Sequence, residues 1–116
     1  MVDSNTIAED TMNEFIKKIN DNAESMADWG KAIQFIFADI NVGYWFKVAN
    51  DGHVEKFEKV IKDKNESNAT LTFKTPMVLK DVLEKKTNAQ TALGIGDVKV
   101  DGSINDLLQL NLVFSW

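Results

Sequence analysis

The sequence predicts an α+β fold, and three observations carry that expectation. Apolar residues recur with a period near 3.6 from Ala8 to Met26, then with a period of 2 from Ile33 to Val48, which marks a helix followed by strands. Asn50-Asp51-Gly52 interrupts the alternation and is a hairpin turn signal. From Asn68 to Leu110 the pattern reads strand, helix, short helix, Gly-bounded strand, helix, with apolar positions in every segment.

Each element has its own local signal. Thr6 and Glu9 form a capping-box pattern with Thr6 as N-cap. Ala8, Met12, Phe15, Ile16, Ile19, Ala23 and Met26 then share one helical face. One amphipathic helix is expected from about Asn5 to Trp29, bent at Asn20-Asp21-Asn22 and stopped at Gly30. Glu14 and Lys18 add an i,i+4 pair on its polar face. Ile33, Phe35 and Phe37 alternate on the first strand; Val42, Tyr44, Phe46 and Val48 alternate on the second, with Trp45 on its opposite face. A third strand is expected from His53 to about Ile61, a polar loop from Lys62 to Asn68, and a fourth strand from Ala69 to Lys74. Thr75-Pro76 reads as an N-cap followed by proline at the first helical position. Val78, Leu79, Val82 and Leu83 make the stripe of that helix, and Lys85-Lys86 suit its C-terminus. A short helical segment spans Asn88 to Leu93. The fifth strand is Val98 to Val100, closed by Gly102, and the last helix runs from Ser103 to about Leu110, followed by the tail Leu112 to Trp116.

Size and composition set the class. A chain of 116 residues is expected to form one domain, 1–116, able to bury roughly two-thirds of its unfolded surface. The 44% apolar content is enough for one real core. No window holds ~18 uninterrupted apolar residues, so no membrane span is expected. The start Met-Val-Asp-Ser-Asn lacks the apolar stretch of a secretory signal, and a cytoplasmic location is expected. The absence of cysteine excludes disulfides and thiolate chemistry. A net charge of −5 argues against nucleic acid as a partner, because that binding depends on cationic side chains meeting phosphates.

The segment from Asn68 to Leu110 resembles the C-terminal half of the sterol carrier protein type 2 (SCP2) lipid-binding domain. Asn88, Gln90, Ala92, Gly96, Lys99, Gly102 and Leu110 stand at the relative spacing of that family's Asn-Pro-Gln-Ser-Ala turn, Gly-bounded strand and apolar helix. Ala89 replaces the frequent proline, and Leu93-Gly94 replaces an aromatic pair, which implies a roomier pocket there. The chain ends Phe-Ser-Trp, so it lacks the Ser-Lys-Leu peroxisomal address. Its length is similar to that of stand-alone prokaryotic members. The resemblance implies a five-stranded mixed or antiparallel sheet, covered on one face by helices, with an elongated apolar tunnel between the layers.

The expected function is non-catalytic carriage of an apolar lipid: a fatty acid, a fatty acyl-CoA or a sterol-like ligand, with fatty acyl chains ahead of sterol. No cofactor is expected. The tunnel would be lined by residues among Phe35, Phe37, Phe73, Met77, Leu83, Leu93, Ile95, Leu107, Leu108 and Phe114, with a volume of about 300–1,000 Å³. The last helix and its tail would act as a lid. The expected partners are the lipid and, transiently, a membrane, with the protein monomeric or dimeric. Two other classes stand beside this one. A small isomerase or cyclase would need a buried, perturbed carboxylate or His facing the pocket. A regulatory or structural module would have a filled core.

Other features carry less. His53, the one histidine, follows a turn glycine and reads as surface, with no second ligand for a metal. Asp97 and Asp101 sit at Gly-rich turns that favour Asp for its local hydrogen bonds. Leu93-Gly-Ile-Gly96 lacks the Lys-Ser/Thr ending of a phosphate loop. Asn65-Glu-Ser67 and Asn68-Ala-Thr70 match the glycosylation sequon by chance.

Overall fold

The structure, a computed structural model, describes residues 3–60 and 67–115. The first helix, α1 (Ser4–Asp21), begins one turn earlier than the Thr6 cap would place it. Asp3 is the N-cap instead, its carboxylate accepting the Thr6 backbone N–H at 2.8 Å. Asp is as good an N-cap as Ser or Thr, so the earlier of two competent residues starts the helix. That backbone hydrogen bond holds the Asp3 carboxyl below its ordinary range. The expected bend is a full break at Asn22, after which a single turn, α2 (Ala23–Met26), follows. Asp28 and Gly30 both take positive φ, at 65° and 60°, so the helical pattern ends before Trp29.

Five strands form where strands were expected: β1 (Ala32–Phe37), β2 (Val42–Val48), β3 (Val54–Val60), β4 (Ala69–Phe73) and β5 (Val98–Gly102). Residues 61–66, which include Ile61 and most of the expected polar loop, lie outside the described residues. The sheet order is β3-β2-β1-β4-β5. β1 pairs parallel with β4, and every other pair is antiparallel, so the sheet is mixed. The β2–β3 turn sits against the α1–α2 junction. A Cβ on Gly52 would lie 1.8 Å from the Ala23 carbonyl oxygen, and its φ of 90° also selects glycine.

Three helices complete the chain: α3 (Pro76–Leu83), α4 (Ala89–Gly94) and α5 (Ile104–Ser115). α5 runs through the segment expected to be a tail, because no Gly or Pro interrupts it after Gly102. The core is the inward sheet face against α1 and α3. Phe15 of α1 is central: its ring lies 5.0 Å from Phe35, 5.7 Å from Phe46 and 5.5 Å from Phe114. Such edge and tilted pairs contribute about 0.5–1.5 kcal/mol each beyond area burial. On the opposite face Trp45 is also buried, beside its cross-strand partner Gln34.

Candidate functional site

Where β4 and β5 form the sheet edge, the layers separate into a pocket of ≈ 260 Å³. Its floor is two cross-strand pairs, Leu71 with Val100 and Phe73 with Val98. The period of 2 puts Ala69, Leu71 and Phe73 on the same inward face of β4. Val82 of α3 also lines the pocket. Ala89, Gln90 and Leu93 of α4 make one wall, and Leu108, Leu110, Asn111 and Phe114 of α5 make the other.

Local chemistry holds both walls. Asn88 caps α4, its side-chain oxygen accepting the Thr91 N–H at 2.7 Å. The helix ends in a Schellman arrangement. Gly96, at φ 84°, donates to the Leu93 carbonyl, and Asp97 donates to that of Ala92. The expected Gly-rich break is therefore a helix stop that delivers the chain into β5. α5 is tethered by side chains. Trp29 Nε1 donates to Asp106 Oδ1 at 3.0 Å, and Gln109 donates to the Ser25 carbonyl at 2.8 Å. At its far end Lys85 Nζ donates to the Phe114 carbonyl oxygen.

Lys85 occupies the left-handed position that closes α3, with φ 65°. Lys86 donates to the Asp81 carbonyl and Lys85 to that of Val82, the same Schellman pattern with Lys where glycine is usual. Partial burial of its ammonium, and to a lesser degree Lys18, push its pKa below the ordinary lysine value.

Of the residues expected to touch a ligand, Phe73, Leu93, Leu108 and Phe114 line the pocket. Phe35 and Phe37 do not: they are fully buried behind Phe73, with ring centroids 5.2 and 5.7 Å from it. β1 is the central strand, and the pocket lies over the β4–β5 edge. Leu83 is buried outside the lining, to which its neighbour Val82 belongs. Met77 and Ile95 are 41% and 68% exposed and lie outside the lining. The side chain of Leu107 lies outside the described residues. Leu71, Val82, Ala89, Gln90, Val98, Val100, Leu110 and Asn111 join the lining without having been expected. Leu71 was readable as the period-2 neighbour of Phe73. The β5 residues needed the β4–β5 register, which no single-chain pattern supplies.

The rim is apolar and open. Leu93 and Leu108 are 51% and 61% exposed although they line the pocket. Among the described residues, no lining side chain carries a charge, and no cluster of His, Asp and Glu could hold a metal ion. No helix of the described residues is long and apolar enough to cross a membrane.

The model of the SCP-2 sterol transfer family matches residues 12–115. Solved structures of similar fold include apo sterol carrier protein 2 from Yarrowia lipolytica, at 18% identity and TM-score 0.62, covering 99% of this chain and 94% of that one. Sterol carrier protein-2 like-3 from Aedes aegypti is 14% identical with TM-score 0.66, covering 92% and 95%. The stereoselective inverting sec-alkylsulfatase Pisa1 from Pseudomonas sp. contains a similar unit, at 17% identity and TM-score 0.63. It covers 81% of this chain, which spans only 14% of the sulfatase. No curated protein sequence matches the chain.

Proposed function

Because the chain belongs to the SCP-2 sterol transfer family, we propose that it binds and carries an apolar lipid and performs no chemistry on it. The observation that carries the reading is the uncharged, apolar pocket whose rim leaves Leu93 and Leu108 in water. Covering such a rim is favourable, and each methylene shielded from water contributes ~0.8 kcal/mol. A long chain therefore binds without specific polar chemistry.

A fatty acyl chain, free or as fatty acyl-CoA, fits better than a rigid sterol-like ring system. The ≈ 260 Å³ pocket is slightly smaller than the ~300–1,000 Å³ typical of ligand sites. A slender chain needs less movement of the walls than a fused ring. The proposed tunnel is this pocket, widened where its exposed lining residues Leu93 and Leu108 give way to the ligand. An isomerase or cyclase would need a proton-transfer group facing the pocket. The buried carboxylate of α5, Asp106, lies outside the lining and is bonded to Trp29. A purely structural module would not need an apolar pocket left open to water. We read residues 1–116 as a single lipid-binding domain that works as monomer or dimer in the cytoplasm, with transient membrane contact during exchange.

Native mass spectrometry of protein purified without detergent, followed by titration with a fluorescent fatty acid, tests the reading. A co-purified lipid mass or saturable binding is expected. A lipid-free protein that binds no alkyl probe refutes it.

A further inference from the structure

We propose that the exposed apolar rim made by α4, the residue that caps it and α5 is the face with which the protein docks on a zwitterionic lipid surface, of the phosphatidylcholine kind. The acyl chain then passes between bilayer and pocket without crossing water. This rests on the carriage reading and adds to it the docking face and the charge class of the membrane.

Exposed large apolar side chains are concentrated at this rim. Five stand exposed among the described residues, and four of them, Leu93, Ile95, Leu108 and Leu112, belong to α4, its C-cap and α5. Leu108 and Leu112 are four residues apart and share a face of α5. Leu93 and Leu108 also line the pocket, so the patch is continuous with the mouth. Ile95 is 68% exposed, in a turn between Gly94 and Gly96 where no heavy atom lies within 4 Å of either virtual Cβ. Single exposed apolar residues are ordinary on a protein surface, but a group of them around a pocket mouth marks an interaction site.

The mouth itself selects the kind of partner. Whatever covers the patch also covers the mouth, because two side chains belong to both. A close-packed protein face or a second copy would seal it. A bilayer supplies the ligand and yields around protruding side chains, which bury their apolar area at the boundary of headgroups and acyl chains. Charge then selects the lipid. Residues 85–116 carry three cations, Lys85, Lys86 and Lys99, and three carboxylates, Asp97, Asp101 and Asp106, so the whole net charge of −5 resides in the rest of the chain. Anionic bilayers attract segments with a basic excess. This chain offers none beside the mouth, and its acidic remainder is repelled. A zwitterionic surface meets no such opposition.

The experiment follows transfer of an anthroyloxy-labelled fatty acid from the whole protein to phosphatidylcholine vesicles that carry an energy acceptor. The parent is compared with Ile95→Ser/Leu112→Ser and with Ile95→Ser alone. Both positions are exposed and outside the lining, so circular dichroism and the vesicle-free affinity for the probe should match the parent's. The parent's transfer rate should rise in proportion to vesicle concentration, as collision requires. The double variant should lower that slope about fivefold or more, and the single variant by a smaller factor. Replacing a quarter of the lipid by phosphatidylglycerol should slow the parent about twofold or more at low salt. A rate independent of vesicle concentration, or an unchanged slope in both variants, would overturn the docking face and leave carriage standing, since the probe still binds. Faster transfer to the anionic vesicles would overturn the zwitterionic partner. A parent dimer that the double variant dissociates in sedimentation would assign the patch to a second copy and overturn the proposal. No binding of the probe in the absence of vesicles would remove both this inference and the carriage reading.

Discussion

Gly102→Ala is the substitution whose cost the geometry sets most sharply. Gly102 pairs with Ala69 at the β4–β5 edge, immediately before α5. A Cβ there would lie 2.6 Å from the Ala69 Cβ, 2.9 Å from the Ala69 Cα and 3.2 Å from the Asn68 carbonyl oxygen. Two of these neighbours are backbone, so no rotamer change relieves the contact. The backbone is also at φ 157°, which side chains avoid. Overpacking of this kind costs ~1–3 kcal/mol and an unfavourable φ ~1–3 kcal/mol. Partial relaxation of β5 offsets some of the sum, leaving about 2–4 kcal/mol. Total stability for a chain of this length is on the order of 6–17 kcal/mol, so the variant should still fold. Gly94→Ala is the control. Nothing lies within 4 Å of its virtual Cβ, and it ends α4. It should be neutral or stabilise by up to ~1 kcal/mol. Urea unfolding followed by tryptophan fluorescence reads both. A midpoint for Gly102→Ala equal to the parent's, or a fall for Gly94→Ala as large as that for Gly102→Ala, would refute the reasoning.

Leu108→Asp should leave urea stability within ~0.5 kcal/mol, because Leu108 is largely exposed. It should weaken alkyl binding roughly 30- to 700-fold, about 2–4 kcal/mol, by placing a carboxylate against the ligand; a fluorescent fatty-acid titration checks it. Phe114→Ala should destabilise by about 3 kcal/mol, the lower end for a buried Phe because one side already faces the pocket; calorimetry reads the loss. Lys85→Gly relieves a left-handed conformation that costs ~1–2 kcal/mol and removes the bond to Phe114. The two oppose each other, so the melting temperature should barely move while amide exchange speeds up in the last turn of α5.

Much of the fold was legible because each element announces itself locally. The 2-residue alternation of Ile33, Phe35 and Phe37 and the Thr75-Pro76 start both report backbone preferences that the tertiary structure does not override. The misjudged boundaries lie where two local signals compete. Asp3 and Thr6 could each cap α1, and the apolar tail after Leu110 fits a packed strand or a helix equally well. The site was half legible for a different reason. Membership of the inward sheet face follows from period, so Phe73 was readable as inward; Phe114 was named from the apolar surplus of the last segment, and both line the pocket. Lining a pocket also depends on where the sheet ends. Phe35 and Phe37 share that inward face but sit on the central strand, behind Phe73. The lid also turned out less detachable than its position at the chain end implies. Val113 is fully buried and Phe114 packs on Phe15, so deleting Leu112 to Trp116 would remove core as well as wall.

The central claim is that the β4–β5–α4–α5 pocket holds the lipid chain. Methyl-resolved NMR tests it most directly: Val and Leu methyls are labelled and a spin-labelled alkyl alcohol is titrated in. The account predicts that Leu71, Val82, Val98, Val100, Leu108 and Leu110 broaden first, saturably and most strongly, while Val48 and Val54, on the far side of the sheet order, broaden least. Saturable broadening confined to Val48 and Val54, or no saturable broadening at all, would contradict it.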